Sequence, residues 1–235
     1  MALPTSNPLL AGASPETSDI EYDVAGASVK AHLAKPAGGS ARGIVVIHEN
    51  RGLTPYLRDV ANGLASSGYI AVAPDLLSRE GGTDAVENIP ATLQEIPRDR
   101  HVTDALAAIR YLQAQGATSV GIIGFCFGGG VVWRVATTSP DVAAAVPFYG
   151  ANPPMEGVPN ISAAVYAVYG EQDERINAGI PEITDALKAA GTTFDMRVYA
   201  GANHAFHNHT NEERYHEEAA TAAWADALSW FDGHL

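Results

Sequence analysis

The chain has 235 residues, of which 46% are hydrophobic and 17% are charged, and its formal net charge is −13. This length and hydrophobic content suit one α/β domain with a large buried core. An acidic protein repels the phosphate groups of nucleic acids and of anionic membranes, so we expect neither as a partner. A small molecule is the expected partner, and both a monomer and a homodimer remain open.

The chain contains one cysteine, which excludes an internal disulfide. No apolar run reaches the length of a membrane-spanning helix. No basic residue precedes the short apolar patch at the N-terminus, which argues against a signal peptide. We therefore expect a soluble, cytoplasmic protein. Residues 1–17 are rich in Pro, Ser and Ala and are predicted to form a flexible arm, followed by a single domain over 18–235.

Strands and helices alternate along the predicted domain. Residues 20–24 and 28–34 alternate apolar with polar side chains and predict an antiparallel hairpin. Further strands are predicted at 43–48, 69–73, 119–123, 142–150, 163–170 and 194–199. Helices are predicted at 55–67, 98–115, 130–137, 180–190 and 211–231, and a long loop with one short helix at 76–97. This order predicts an α/β fold in which helices cover both faces of a mostly parallel central sheet, with the hairpin at its antiparallel edge.

The segment Gly-Phe-Cys-Phe-Gly-Gly at 124–129 joins a predicted strand to a predicted helix and places Cys126 at the turn. Glycines on both sides permit a strained turn that lifts a nucleophile clear of the sheet. The start of a helix also favours negative charge, which lowers the pKa of a thiol. The alternative is a buried, inert structural cysteine.

Four polar residues follow predicted strands, namely Glu49, Cys126, Asp173 and His204. In a parallel sheet, the carboxyl ends of the strands form the ligand site. Cys126, Asp173 and His204 occur in the chain order of the α/β-hydrolase triad. In such a triad Cys126 attacks an acyl carbon, His204 transfers the proton, and Asp173 orients the imidazole. The alternatives are a helix cap for Asp173 and an ordinary loop histidine for His204.

Two backbone N–H groups are expected to form an oxyanion hole beside the nucleophile. They belong to Phe127, the residue after the cysteine, and to Asn50, in the loop after the strand at 43–48. The histidine-rich tract around His204, His207 and His209 does not match a closed metal site, and no phosphate- or dinucleotide-binding motif is present. We therefore expect neither a metal nor a cofactor.

The chain resembles the dienelactone hydrolase family, the carboxymethylenebutenolidase-like α/β-hydrolases. The resemblance covers nearly the whole chain after residue 18 and is carried by the motifs at 124–129, 48–52, 68–76, 170–173 and 201–206. It implies an α/β-hydrolase fold and an enzyme of the carboxylic ester or lactone hydrolase type with a cysteine nucleophile. Two alternatives remain open: a broad carboxylesterase or thioesterase with the same triad, and a non-catalytic binding or redox-sensor protein that uses Cys126.

The resemblance also implies roles for residues around the triad. Glu49 matches a glutamate that contacts the resting thiol, and an anion there raises the thiol pKa and protects the thiol from oxidation. The type substrate of the family carries a carboxylate held by arginines, one of them four residues after the catalytic histidine. Asn208 occupies that position here, so a neutral substrate is also open. Arg51, Arg79 and Arg98 are further candidates for substrate binding.

Overall fold

The computed structural model describes residues 14–235, so most of the predicted arm lies outside the described residues. Eight strands form one sheet in the order β1-β2-β4-β3-β5-β6-β7-β8. In chain order they are β1 Glu16–Val24, β2 Ala27–Lys35, β3 Arg42–Ile47, β4 Ile70–Pro74, β5 Ser119–Phe125, β6 Ala144–Phe148, β7 Ala164–Gly170 and β8 Phe194–Tyr199. The first strand thus begins two residues before the predicted start of the domain.

The sheet is antiparallel at one edge and parallel elsewhere. β1 pairs with β2 and β2 pairs with β4 in antiparallel register. All pairs from β4 through β8 are parallel. The predicted edge hairpin and the mostly parallel central sheet are therefore confirmed.

Between residues 14 and 235, seven α-helices connect or follow the strands. They are α1 Pro55–Ser66, α2 Ile89–Glu95, α3 Arg98–Ala114, α4 Phe127–Thr138, α5 Glu174–Asn177, α6 Ile180–Ala190 and α7 Glu217–His234. The predicted start of the last helix at residue 211 is wrong. Its cap is His216, whose side chain accepts a hydrogen bond from the Ala219 N–H at 3.3 Å, and the preceding residues form turns. Among residues 14–235, no helix combines the length and the apolar character needed to cross a membrane.

Alternate residues of each central strand pack on opposite faces of the sheet. In β3, Ile44 and Val46 join the cluster formed with α1 and α7, whereas Val45 and Ile47 join the cluster formed with α3, α4 and α6. All four are fully buried, and burial of a side chain of this size stabilises a fold by roughly 1.5–3 kcal/mol. The continuous β-branched run is required because both faces of this strand are covered.

The register of the parallel strands brings their carboxyl ends together. Ile47, the last residue of β3, pairs with Gly124 of β5, and Gly170 at the end of β7 pairs with Tyr199 at the end of β8. The polar residues that follow these strands consequently emerge at one edge of the sheet, where the crevice of an open α/β sheet forms.

Candidate active site

Cys126 occupies a strained turn between β5 and α4. Its φ of 57° and ψ of −113° lie in a region that side chains other than glycine rarely adopt. The Cys126 N–H donates to the carbonyl oxygen of Phe148 at 3.0 Å, which anchors the turn to β6. A Cβ on Gly124 would lie 2.5 Å from the Gly128 carbonyl oxygen, and one on Gly128 would lie 2.4 Å from that of Ile47. The glycines therefore permit the close backbone contacts that hold the cysteine in place.

Asp173 and His204 are hydrogen-bonded to each other. Nδ1 of His204 contacts Oδ2 of the buried Asp173, and a neutral imidazole facing a carboxylate in this way carries its proton on Nδ1. Nε2 is then free to accept a proton. Oδ1 of Asp173 also accepts a hydrogen bond from the Ile176 N–H at 3.4 Å, so this aspartate caps α5 as well as orienting the histidine.

Cys126 and His204 line the same cavity, which has a volume of about 230 Å³. Phe127 and Asn50, whose backbone N–H groups were predicted as oxyanion donors, line it too. Tyr149 lines the cavity too, and the centroid of its ring lies 5.1 Å from that of His204. A thiol, a histidine paired with a carboxylate, and two candidate N–H donors thus surround one space large enough for a small molecule.

The thiol of Cys126 is held in its neutral form. Burial and the nearby charge of Glu49 raise its pKa to about 11. Three weaker influences lower the pKa: the backbone N–H groups of Phe127 and Asn50, and the charge of Arg175. The N–H of Phe127 at the helix start does lower this pKa, as expected, but the net shift of the resting thiol is upward. Desolvation and the glutamate outweigh the helix N-terminus.

Glu49 is buried beside the cysteine, with only 5% of its surface exposed. Burial raises the pKa of its carboxyl to about 7, although a hydrogen bond from Asn208 and the charge of Arg51 lower it. Nδ2 of Asn208 donates to Oε2 at 2.8 Å. Oε1 is buried and has no hydrogen-bond partner among residues 14–235. The carboxyl group is therefore only half satisfied.

His48, which the sequence did not single out as a site residue, positions the loop that carries Glu49. The Leu76 N–H donates to Nε2 of His48 at 3.1 Å, so the neutral ring carries its proton on Nδ1 and donates to the Glu49 carbonyl oxygen at 2.7 Å. Burial lowers the pKa of His48 and keeps the ring neutral. This histidine ties the chain after β3 to the chain after β4.

The four candidates for substrate binding occupy different places. Arg98 lines the cavity of Cys126. Arg51 and Asn208 line a second groove that shares Cys126 and His204 with this cavity. Arg79 does not line the cavity, because its guanidinium pairs with the buried carboxylate of Asp104 at 2.6 Å.

Two cavity arginines, Arg134 and Arg175, were not singled out from the sequence. Arg134 follows Cys126 by eight residues and lies on α4, so its helical spacing from Cys126 could have predicted that the two residues lie on the same side of the helix. Arg175 follows Asp173 by two residues. Neither these two nor Arg98 forms an ion pair with any carboxylate of residues 14–235. Burial and the charge of Arg98 lower the pKa of Arg134, which indicates that like charges lie near one another in this cavity.

The histidine-rich tract is divided between different environments. Nδ1 of the buried His207 lies 2.7 Å from the hydroxyl of Tyr56, and burial lowers the pKa of this histidine to about 3. His209 lies 3.5 Å from a carboxylate oxygen of Asp59. Within residues 14–235, no group of three or more His, Cys, Asp or Glu side chains is arranged to hold a metal ion.

Known proteins resemble this chain over most of its length. The sequence profile of the dienelactone hydrolase family matches residues 29–235. A candidate carboxymethylenebutenolidase from Saccharolobus solfataricus is 31% identical over 251 aligned positions, which cover 90% of this chain and 96% of that relative. A candidate 2-oxo-3-(5-oxofuran-2-ylidene)propanoate lactonase from Bradyrhizobium is 30% identical, with coverage of 92% and 94%.

Solved structures share the fold. The structure of a candidate dienelactone hydrolase from Klebsiella pneumoniae has a TM-score of 0.87 and 28% identity, and the match covers 94% of this chain and all of that one. Its fold agrees with the predicted α/β-hydrolase architecture. On the strength of the family profile and of these relatives, this chain is a hydrolase that belongs to the dienelactone hydrolase family.

Proposed function

We propose that this hydrolase cleaves an ester or a lactone through a covalent intermediate on Cys126. The observation that carries the proposal is the hydrogen bond between Asp173 and His204 at the rim of the cavity that Cys126 lines. A nucleophile and a base oriented by a carboxylate are the parts that acyl transfer requires. The strained backbone at Cys126 supports the same function, because such strain is concentrated at active sites.

In this mechanism Nε2 of His204 takes the proton of the Cys126 thiol as the sulfur attacks the carbonyl carbon of the substrate, and the carbonyl oxygen becomes an oxyanion. The N–H groups of Phe127 and Asn50 donate to that oxygen. Collapse of the tetrahedral intermediate breaks the bond to the alkoxy oxygen, which takes a proton from His204, and leaves a thioester on Cys126. His204 then removes a proton from a water molecule that attacks the thioester. The carbon–sulfur bond breaks, the carboxylic acid product leaves, and His204 returns the proton to the sulfur, which regenerates the thiol. Asp173 stabilises the charged imidazole in both steps.

Glu49 acts as a modulator of the nucleophile in this proposal. With a thiol pKa of about 11, little thiolate exists in the resting site near neutral pH. The anion of Glu49 contributes to that high pKa and so protects the thiol from oxidation. Substrate binding has to weaken this influence before attack.

The charge of the cavity favours a substrate that carries an anionic group. Arg98, Arg134 and Arg175 bring three guanidinium groups to it, in a protein with a net charge of −13. Guanidinium groups bind carboxylates through paired hydrogen bonds. The name of the Bradyrhizobium relative specifies a lactone that bears a propanoate group. A carboxylate-bearing ester or lactone is therefore the proposed substrate class, even though Asn208 replaces one of the family's arginines.

Hydrolysis of p-nitrophenyl acetate tests the proposed mechanism. Cys126→Ala and His204→Ala should each lower kcat/KM by about a thousandfold or more, whereas His234→Ala, at the end of α7 and outside the cavity, should leave it unchanged. Equal rates for the wild type and both site variants would refute the triad and favour a non-catalytic thiol. A matched thioester substrate, hydrolysed faster than the oxygen ester, would instead support a thioesterase.

A further inference from the structure

The side-chain amide of Asn208 is fixed in one orientation. Its Oδ1 accepts hydrogen bonds from both the N–H and the hydroxyl of Thr210, at 3.0 and 2.7 Å. Because the oxygen is already engaged twice, the NH₂ group faces the other way and donates to Oε2 of Glu49 at 2.8 Å. Asn208 is buried, with 9% of its surface exposed, so water does not replace this contact readily.

The environment of Glu49 makes this single hydrogen bond important. Within residues 14–235, Asn208 is the only side chain that donates to the carboxylate, and Oε1 has no partner. The charged and titratable groups that act on or around this carboxyl come from several elements. They are Arg51 in the same loop, Cys126 at the start of α4, Tyr56 of α1 and Tyr149 after β6. Burial keeps both tyrosines neutral by raising their pKa values.

The donor is a neutral amide, which limits how strongly it can hold the anion. A guanidinium at this position would both donate and neutralise charge, and would keep the glutamate ionised. An amide only donates, so the ionised and neutral forms of Glu49 remain close in free energy near neutral pH. Burial favours the neutral form, and the amide of Asn208, more than the charge of Arg51, offsets it, so the position of the amide shifts the balance between the two forms.

We propose that Asn208, locked by Thr210, is a positioning residue that sets the charge of Glu49 and, through that charge, the reactivity of Cys126. The link to catalysis rests on the proposed role of Cys126, whereas the effect on Glu49 and on thiol reactivity does not. In the described part of the chain, no cationic side chain forms a hydrogen bond with Glu49. Consequently, a substrate anion does not have to displace a cation from Glu49 before the thiol of Cys126 becomes reactive.

Titration of the Glu49 carboxyl by difference infrared spectroscopy tests the first step. The signal is identified by its loss in Glu49→Gln. Asn208→Leu, which has similar size and no donor, should shift the midpoint upward by about half a pH unit or more, and Asn208→Asp further because it adds a like charge. Thr210→Val should give a smaller upward shift, because it removes one of the two hydrogen bonds that hold the amide and keeps the backbone one. Asn160→Leu, at an exposed position far from the site, should give none.

Alkylation of Cys126 by iodoacetamide tests the second step, without any need for hydrolysis. At pH 7.5, Asn208→Leu should be alkylated about threefold faster than the wild type, because more of its Glu49 is neutral. In the Glu49→Gln background the same substitution should have no effect. An unchanged Glu49 midpoint in both Asn208 variants would overturn the inference, as would an alkylation effect that persists in the Glu49→Gln background. If these shifts occur while Cys126→Ala still hydrolyses the ester, the proposed function fails and the role of Asn208 remains.

Discussion

Glu49 and Cys126 oppose each other's ionisation at the carboxyl ends of β3 and β5. The carboxyl has a pKa of about 7 and the thiol one of about 11, both raised mainly by burial. The carboxylate contributes to the raised pKa of the thiol, because two negative charges in a poorly solvated site repel each other. In the resting site the thiol therefore stays neutral, and the pair carries either one negative charge, on Glu49, or none.

Removing the charge of Glu49 should make the thiol more reactive. Glu49→Gln keeps the shape of the side chain and its ability to accept from Asn208, but eliminates the repulsion, so the pKa of Cys126 should fall. A fall of one unit corresponds to about tenfold more thiolate at pH 8. The rate of alkylation by iodoacetamide measures this directly, since the chain has one cysteine. Glu182→Gln, at an exposed position on α6, should react like the wild type, and an unchanged rate in Glu49→Gln would contradict the repulsion.

The same carboxyl should make the stability of the fold depend on pH. Folded Glu49 keeps its proton up to about pH 7, whereas its ordinary pKa is 4.5. Between these values the folded state binds more protons than the unfolded state, so stability falls as the pH rises and the full loss is reached above pH 7. Glu49→Gln avoids this loss and should be more stable than the wild type at pH 8 by roughly 3 kcal/mol.

Urea unfolding at two pH values measures this difference. The gain in the free energy of unfolding should be present at pH 8 and should largely disappear at about pH 4, below the ordinary pKa of 4.5, where most Glu49 carboxyls are protonated in both the folded and the unfolded wild type. A gain that is the same at both pH values would mean that packing, and not ionisation, is responsible.

The strand ends could be read from the sequence because local patterns determine them. The β-branched run of β3 and the glycine-framed turn at Cys126 each have a short-range physical cause, and the topology of parallel strands then brings Glu49, Cys126, Asp173 and His204 to one edge. The bounds of β3, β7 and α6 follow the predicted ones to within a residue or two for the same reason.

The features that escaped prediction depend on contacts between distant segments. The ion pair of Arg79 with Asp104 joins two elements whose relative position the local pattern does not determine. The start of α7 depends on the side chain of His216, whereas residues from 211 onward are compatible with a helix. The rise in the pKa of Cys126 through Glu49 was expected, but the larger contribution, burial of the thiol, is reported by no pattern around the turn. Arg134 reaches the cavity because α4 runs along it.

The turn at Cys126 should tolerate no side chain at Gly128. The Cβ of Gly128→Ala would lie 2.4 Å from the carbonyl oxygen of Ile47 and 2.6 Å from that of His48, so the strand or the helix must move. We expect a loss of about 2–3 kcal/mol in the free energy of unfolding, in the range found for overpacked cores. Gly38→Ala, in a turn with nothing within 4 Å of the added Cβ, should be close to neutral. Similar unfolding curves for the two variants would show that the turn is not closely packed.

The cavity arginines should determine preference between charged and neutral substrates. Arg134 lines the cavity. The charges of Asp99 and Glu156 act on it, but within residues 14–235 neither carboxylate forms an ion pair with it, so Arg134→Ala mainly removes a charge available to the substrate. For an ester whose acyl group carries a carboxylate, kcat/KM should fall by about tenfold or more, and for the matched methyl-capped ester it should change little. Arg110→Ala, on the exposed side of α3 and outside the cavity, should affect neither ester. The loss should shrink at high ionic strength, because salt screens interactions between accessible charges. An equal fall for both esters would assign Arg134 a structural role and would leave a neutral ester or lactone as the favoured substrate.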